Sequence, residues 1–286
     1  MEKDFKRLCI FVLPCVFSAV IMRILMIENV IDSVSGFFYK DLAGWGTALS
    51  VAVILLCALI CVAGRLFNGG SGIDFQSPVI SVLFFVLSLS VFYEGFMTGS
   101  SRTVVAWQVI LLKVFGFAGA VTLVYFGICG LKKIKPKTIL SVIPLLFFVL
   151  RIMVSLSIYS YEPTIADNMF DLFAICTSAI YFLYFFRLVC NVDRLKTKRC
   201  FLCVSALNFT ACTIYSVPCI LMILTKQSGS IHSITPSVVT DIAVAVFTAA
   251  AAVIYCKTKK PEPEKSVQIE KFLYPENDNG DNEFNI

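Results

Sequence analysis

Eight long apolar segments divide this chain of 286 residues. A helix needs about 20 apolar residues to cross a bilayer core about 30 Å thick, because its backbone amides must find their hydrogen-bond partners within the helix. The segments are continuous and do not alternate with polar residues, which excludes membrane-spanning strands. The sequence therefore predicts an all-α polytopic membrane bundle of about eight transmembrane helices, at 8–27, 44–64, 77–98, 104–130, 138–158, 166–190, 200–224 and 238–256.

The composition agrees with a chain that uses the lipid bilayer as its solvent. Hydrophobic residues make up 58% of the sequence and charged residues only 15%, and the mean hydropathy is +0.85. Soluble globular domains carry a larger charged fraction than this. The connections between the apolar segments are too short to hold a soluble domain.

Lysine and arginine are concentrated on one side of the predicted spans. Eighteen of the 24 basic residues fall at the start of the chain, after the second, fourth and eighth spans, or around the loop between the sixth and seventh. Lys40, Arg102 and Lys226 fall on the other side. Because basic residues near a span stay on the cytoplasmic side, we expect an integral protein of the plasma membrane with cytoplasmic N and C termini.

The basic loop KKIKPK at 132–137 separates two sets of four spans. Similar landmarks recur in both sets, including GRLFN at 64–68 and FRLVCN at 186–191. These features predict a four-helix unit at 1–131 and a second at 132–257, arranged as two parallel repeats in the manner of some transporters. Basic residues at matching span ends also follow from the orientation rule alone, so that explanation stays open. Residues 258–286 are predicted to form a disordered acidic cytoplasmic tail.

Motifs for metal, nucleotide or covalent chemistry are missing from the sequence. The single histidine, His232, lies in a predicted loop, and the cysteine pair Cys200 and Cys203 has no second pair to complete a zinc site. We therefore expect no cofactor and no metal. A membrane enzyme acting on lipids or isoprenoids ranks last among the functions considered, because the cytoplasmic side lacks a cluster of acidic residues to bind a metal diphosphate. The basic residues are scattered over separate segments, which argues against binding to nucleic acid.

Seven ionisable residues lie within the spans, in their outer half or near the middle. Charges inside a membrane cost several kcal/mol and are functional candidates by default. Arg23, Glu94, Asp167 and Asp241 lie near the outer ends of their spans, so one interpretation extends them to the outer membrane interface. In the other interpretation they join the deeper residues in a polar cavity that opens outward, where Arg151 pairs with Asp171 on the following helix. The candidate ligand-binding residues are Arg23, Glu94, Lys113, Arg151, Asp167, Asp171 and Asp241.

This charged layer favours a secondary transporter or permease for a small polar solute, with an outward-facing charged cavity. The alternative is a non-catalytic membrane sensor or a subunit of a membrane complex, in which the charges contact a membrane-protein partner. The sequence names neither the solute nor the partner.

Overall fold

The computed structural model describes residues 2–31, 38–66, 77–98, 106–159, 166–190, 194–225 and 236–257. The predicted acidic tail and His232 lie outside these residues. Within them the chain is helical without strands, apart from an isolated bridge between Ile31 and Phe38. The helices are α1 (Glu2–Asn29), α2 (Ala43–Leu66), α3 (Pro78–Met97), α4 (Ala106–Leu131), α5 (Val142–Tyr159), α6 (Ala166–Val189), α7 (Arg194–Leu224) and α8 (Pro236–Lys257), with short 3-10 helices at Lys40–Leu42 and Thr138–Ser141.

These eight helices are each long and apolar enough to cross a membrane, which confirms the predicted polytopic all-α bundle. Most of their bounds agree with the predicted spans to within about four residues, and α1 and α7 begin about six residues earlier. Successive helices run in opposite directions. We refer to the end of the bundle where α1, α3, α5 and α7 finish as the upper end; the distribution of basic residues predicts that it faces the cell exterior.

The two halves of the chain pack into each other. Helices α1 and α2 contact one another and α7, whereas α3 and α4 contact one another, with α4 also against α5 and α3 also against α8. Each half is thus completed by helices of the other half. Duplication of a four-helix unit stays a prediction.

Small residues bring α3 and α4 into close contact near the upper end. A Cβ atom built on Gly116 would lie 3.1 Å from the Cα of Gly95, and one built on Gly95 would lie 3.2 Å from the Cα of Gly116. Glycine within the fourth predicted span favours close helix approach at Gly116, and the structure has such a contact there. Small residues are a common means of helix packing in membranes, because backbones can touch where side chains are absent.

A layer of buried aromatic rings fills the lower half of the bundle; we call it the aromatic layer. The ring centroids of Phe84 and Phe247 are 5.0 Å apart, and those of Phe148 and Phe182 are 4.6 Å apart. The layer joins helices α3, α4, α5, α6 and α8, and its members are Phe84, Phe126, Phe148, Tyr181, Phe182, Phe185, Phe186 and Phe247.

Candidate functional site

Arg151 of α5 forms a buried ion cluster with one carboxylate from each of two other helices. Its Nε lies 2.6 Å from Glu94 Oε1 of α3, and its Nη1 lies 2.7 Å from Asp241 Oδ1 of α8. Its Nη2 donates a hydrogen bond of 3.2 Å to the carbonyl oxygen of Ser237. Glu94, Arg151 and Asp241 are 4%, 2% and 0% exposed. We call these three residues the central triad.

Backbone and hydroxyl contacts hold the two carboxylates in place. Glu94 lies in the last turn of α3, where its carbonyl oxygen accepts hydrogen bonds from the amide and the hydroxyl of Thr98. Thr240, the neighbour of Asp241, donates to the carbonyl of Ser90 at 3.1 Å and so ties α8 to α3. The Thr240 hydroxyl also lies beside Glu94. The two acidic side chains are thus fixed next to each other by short-range packing of α3 and α8.

Two more charged side chains from the predicted set lie close to the central triad. Asp171 of α6 is buried and lies within electrostatic range of Arg151. Arg23 of α1 is also buried, and its guanidinium carbon lies 4.3 Å from the centroid of the Phe170 ring, in cation–π contact. The thiol of Cys219 on α7 lies within electrostatic range of Arg23 and Asp171. Five helices therefore contribute one buried charge each to this part of the bundle.

The structure differs from the sequence interpretation in the partner of Arg151. We expected Asp171, because α5 and α6 are consecutive and their connection is short. The ion pairs are instead with Glu94 and Asp241, since the packing of α3 on α8 brings both carboxylates to the guanidinium. Interfacial placement is also wrong for Arg23, Glu94 and Asp241, because all three are buried.

Two predicted residues are not part of this group in the described structure. Lys113 is exposed on the outer surface of α4 and does not point into the bundle. The side chain of Asp167 lies outside the described residues.

The central triad is closed in this structure and does not line an open cavity. Its three side chains are almost fully buried, and the aromatic layer begins directly below them. Phe148 precedes Arg151 by three residues and Phe247 follows Asp241 by six, which correspond to about 5 Å and about 9 Å along a helix axis. Entry of a solute from either side therefore requires a change in helix packing.

A second polar group, linked by neutral hydrogen bonds, lies below the central triad. The hydroxyl of Ser178 on α6 donates to Asn208 Oδ1 of α7 at 3.0 Å, and Asn208 Nδ2 donates to the hydroxyl of Thr248 on α8 at 2.9 Å. Cys212 lies 3.4 Å from the Ser178 hydroxyl. Asn208 was visible in the sequence as a polar residue within the seventh span, but periodicity does not show which partners it meets.

The central triad has two acidic oxygens that the described residues leave without hydrogen bonds. These are Glu94 Oε2 and Asp241 Oδ2, both buried. A buried acceptor without a partner is unusual and costs free energy, which points to something that binds there. No three His, Cys, Asp or Glu side chains converge as metal ligands in the described part of the chain. The arrangement therefore suits charge recognition or proton exchange.

Comparisons with family models, with curated proteins and with solved structures found no match to this chain. Its function must therefore be argued from the site itself.

Proposed function

We propose that this multi-pass membrane protein is a secondary transporter or permease for a small polar solute, with the central triad in its solute pathway. The observation that carries the proposal is the buried guanidinium of Arg151 between Glu94 and Asp241, at 2.6 Å and 2.7 Å. We place the protein in the plasma membrane with both termini in the cytoplasm, on the strength of its basic loops.

Stability alone does not explain why the chain keeps the three buried charges of the central triad. Burying charged groups costs several kcal/mol each, and apolar residues of similar volume are often at least as stable in the same place. Intramembrane charges that face a bundle interior mark ion and solute pathways in other membrane proteins. The central triad joins three helices that are distant in the sequence, so a change in its contacts alters the packing of all three.

Transport requires that the central triad be reached alternately from the two sides. At the upper end, opening separates the end of α3 from the end of α5 and the start of α8 and breaks the contact between Glu94 and Arg151. At the lower end, the aromatic layer must part. The structure fits a closed intermediate between these two states.

The test begins with solute binding. The full-length protein is purified and its melting temperature is measured with a panel of amino acids, carboxylic acids, polyamines and polyols. Solutes that raise the melting temperature are then supplied in radiolabelled form to proteoliposomes. We expect at least one solute to be taken up, and we expect uptake to be lost in Arg151→Gln. Glu28→Gln serves as the control, because Glu28 is exposed at the upper end of α1. If no solute stabilises the protein, or if uptake persists in Arg151→Gln, the proposal is wrong.

A second candidate function, as a subunit of a membrane complex, is favoured by Lys113. This residue is exposed about 10 Å along α4 from its start, among exposed apolar side chains that include Ile110 and Phe117. A lysine on a lipid-facing surface at that depth is costly, and an acidic residue in a partner helix would compensate for it. The partner should co-purify from its native membrane in mild detergent and be lost in Lys113→Leu. Co-purification that survives this substitution would refute a role for this surface.

A further inference from the structure

We propose that the central triad binds one proton, held on Glu94, in the closed state seen here. The proton would be the coupling ion of the transporter proposed above. The physiological role of this proton rests on the proposed transport function. The presence of the proton does not, because it is measured without any solute.

The first argument is the balance of buried charge. The central triad contains one arginine and two carboxylates: Arg151, Glu94 and Asp241. In their fully ionised forms they carry one net negative charge. A net charge inside a membrane protein is strongly unfavourable without a counter-ion, and the simplest compensation is a proton on one carboxylate.

The second argument is the geometry around Arg151. One guanidinium serves two carboxylates, and its Nη2 is directed to the Ser237 carbonyl. Each carboxylate is therefore contacted through a single oxygen, which leaves Glu94 Oε2 and Asp241 Oδ2 without hydrogen bonds in the described structure. A proton on one of these oxygens converts an unsatisfied acceptor into a donor. Carboxyl groups that share a site commonly hold one proton between them, because two negative charges so close together repel each other.

Local geometry assigns the proton to Glu94. Arg151 Nη1 makes an aligned hydrogen bond to Asp241, whereas the close approach of Nε to Glu94 lacks hydrogen-bond alignment. Glu94 also lies in the last turn of α3, where the helix dipole disfavours negative charge. The ionised form is thus better supported at Asp241.

A proton fits this site better than a metal cation does. Cations such as sodium need several oxygen ligands that surround them, and in the described structure the triad offers only two carboxylate oxygens without a hydrogen bond, Glu94 Oε2 and Asp241 Oδ2. The other charged or titratable groups near the triad are Asp171 from α6 and the thiols of Cys212 and Cys219 from α7. Arg23 from α1 lies near Cys219. Arg23 and Asp171 carry opposite charges and so leave the net charge of the triad unchanged.

Infrared difference spectroscopy tests the proposal directly. The full-length protein is placed in lipid nanodiscs without solute, and spectra are recorded as the pH is raised from neutral to alkaline. We expect loss of the stretching band of one buried protonated carboxyl group, shifted in heavy water. The band should be absent in Glu94→Gln and present in the exposed control Glu28→Gln.

The variant Asp241→Asn tests whether Glu94 is protonated because a second carboxylate lies beside it or only because Glu94 is buried. It leaves Glu94 in place but removes one negative charge, so Glu94 should ionise against Arg151 and the band should disappear. A band that persists in Asp241→Asn, or in Glu94→Gln, would overturn the proposal, and so would its absence from the parent protein. Replacement of the band by a sodium-dependent change would also overturn it in favour of a cation. Both variants lose the band whichever of the two carboxyl groups holds the proton, so carbon-13 labelling of the glutamate carboxyl groups makes the assignment. The band should shift if Glu94 holds the proton, and an unshifted band would overturn the assignment to Glu94. This measurement uses the parent protein and so holds even if Glu94→Gln does not fold. A positive spectrum with no solute flux would leave the proton in place and reject the transporter.

Discussion

Removal of the positive charge from the central triad should destabilise the protein far more than removal of the whole triad. The substitution Arg151→Met keeps much of the side-chain length but leaves Glu94 and Asp241 buried without a cation. It also removes the donor to the Ser237 carbonyl. Loss of one partner from a buried ion pair costs about 3–5 kcal/mol, because the remaining charge is uncompensated. The two contacts that this substitution removes are short, at 2.6 Å to Glu94 and 2.7 Å to Asp241, and both side chains are 4% exposed or less, so the range for a buried ion pair applies.

The triple variant Glu94→Met, Arg151→Met, Asp241→Leu removes all three charges together. Apolar replacement of a complete buried cluster is often neutral or stabilising by about 1–4 kcal/mol. We therefore expect the triple variant to recover most of the stability that Arg151→Met loses. Solute uptake should be absent from both variants, since the charges that recognise the solute are gone from both.

The free energy of unfolding is measurable by titration of the full-length protein with SDS in mixed micelles, followed by circular dichroism. Arg65→Met is a matched control, because Arg65 is exposed at the end of α2. This substitution should change the free energy of unfolding by about 0.5 kcal/mol or less. If Arg151→Met matched this control, the ion pairs would not be present in solution. If the triple variant were as unstable as Arg151→Met, the triad would be a structural element and the case for function would fail.

Other predictions follow from close contacts elsewhere in the bundle. Gly116→Ala should destabilise the protein by about 1–3 kcal/mol, because its new Cβ would lie 3.1 Å from the Cα of Gly95. The loss is measured as a fall in melting temperature. Gly44→Ala is the control, because the space around Gly44 is open. Asn208→Leu should cost about 1–3 kcal/mol in the same assay, because it leaves the buried hydroxyl of Thr248 without its donor. An effect of Gly116→Ala no larger than that of Gly44→Ala would show that the α3–α4 contact is looser than described.

The helices were predictable from the sequence because each span obeys a local rule. Length and continuous hydrophobicity are properties of a single segment, and no tertiary information is needed to read them. The contact at Gly116 was predictable for a similar reason, since glycine within a membrane helix marks close packing. The partner helix, α3, was not identified by that rule.

The partners of Arg151 could not be predicted from the sequence. Depth along each span placed Arg23, Glu94, Arg151 and Asp241 in one part of the bundle, and the structure brings them near one another. The choice between Asp171 and Asp241 as the partner depends on which helices are neighbours and on their rotation, and neither is encoded in segment hydrophobicity. Lys113 lies at a similar depth but faces outward, because the weak amphipathicity of a membrane helix does not fix its rotation.

Proton binding on Glu94 gives the central triad a means to control helix packing. While Glu94 is protonated, its contact with Arg151 is a hydrogen bond to a neutral carboxyl group, which is weaker than a charged pair and easier to break. The aligned contact between Arg151 and Asp241 then holds α5 to α8, and α3 is the helix that can separate. Loss of the proton restores the attraction between Glu94 and Arg151 but leaves an excess negative charge, which a cationic group of a solute would balance. A protonated, closed triad and a deprotonated, solute-loaded triad are therefore the two states in which the buried charges are neutral.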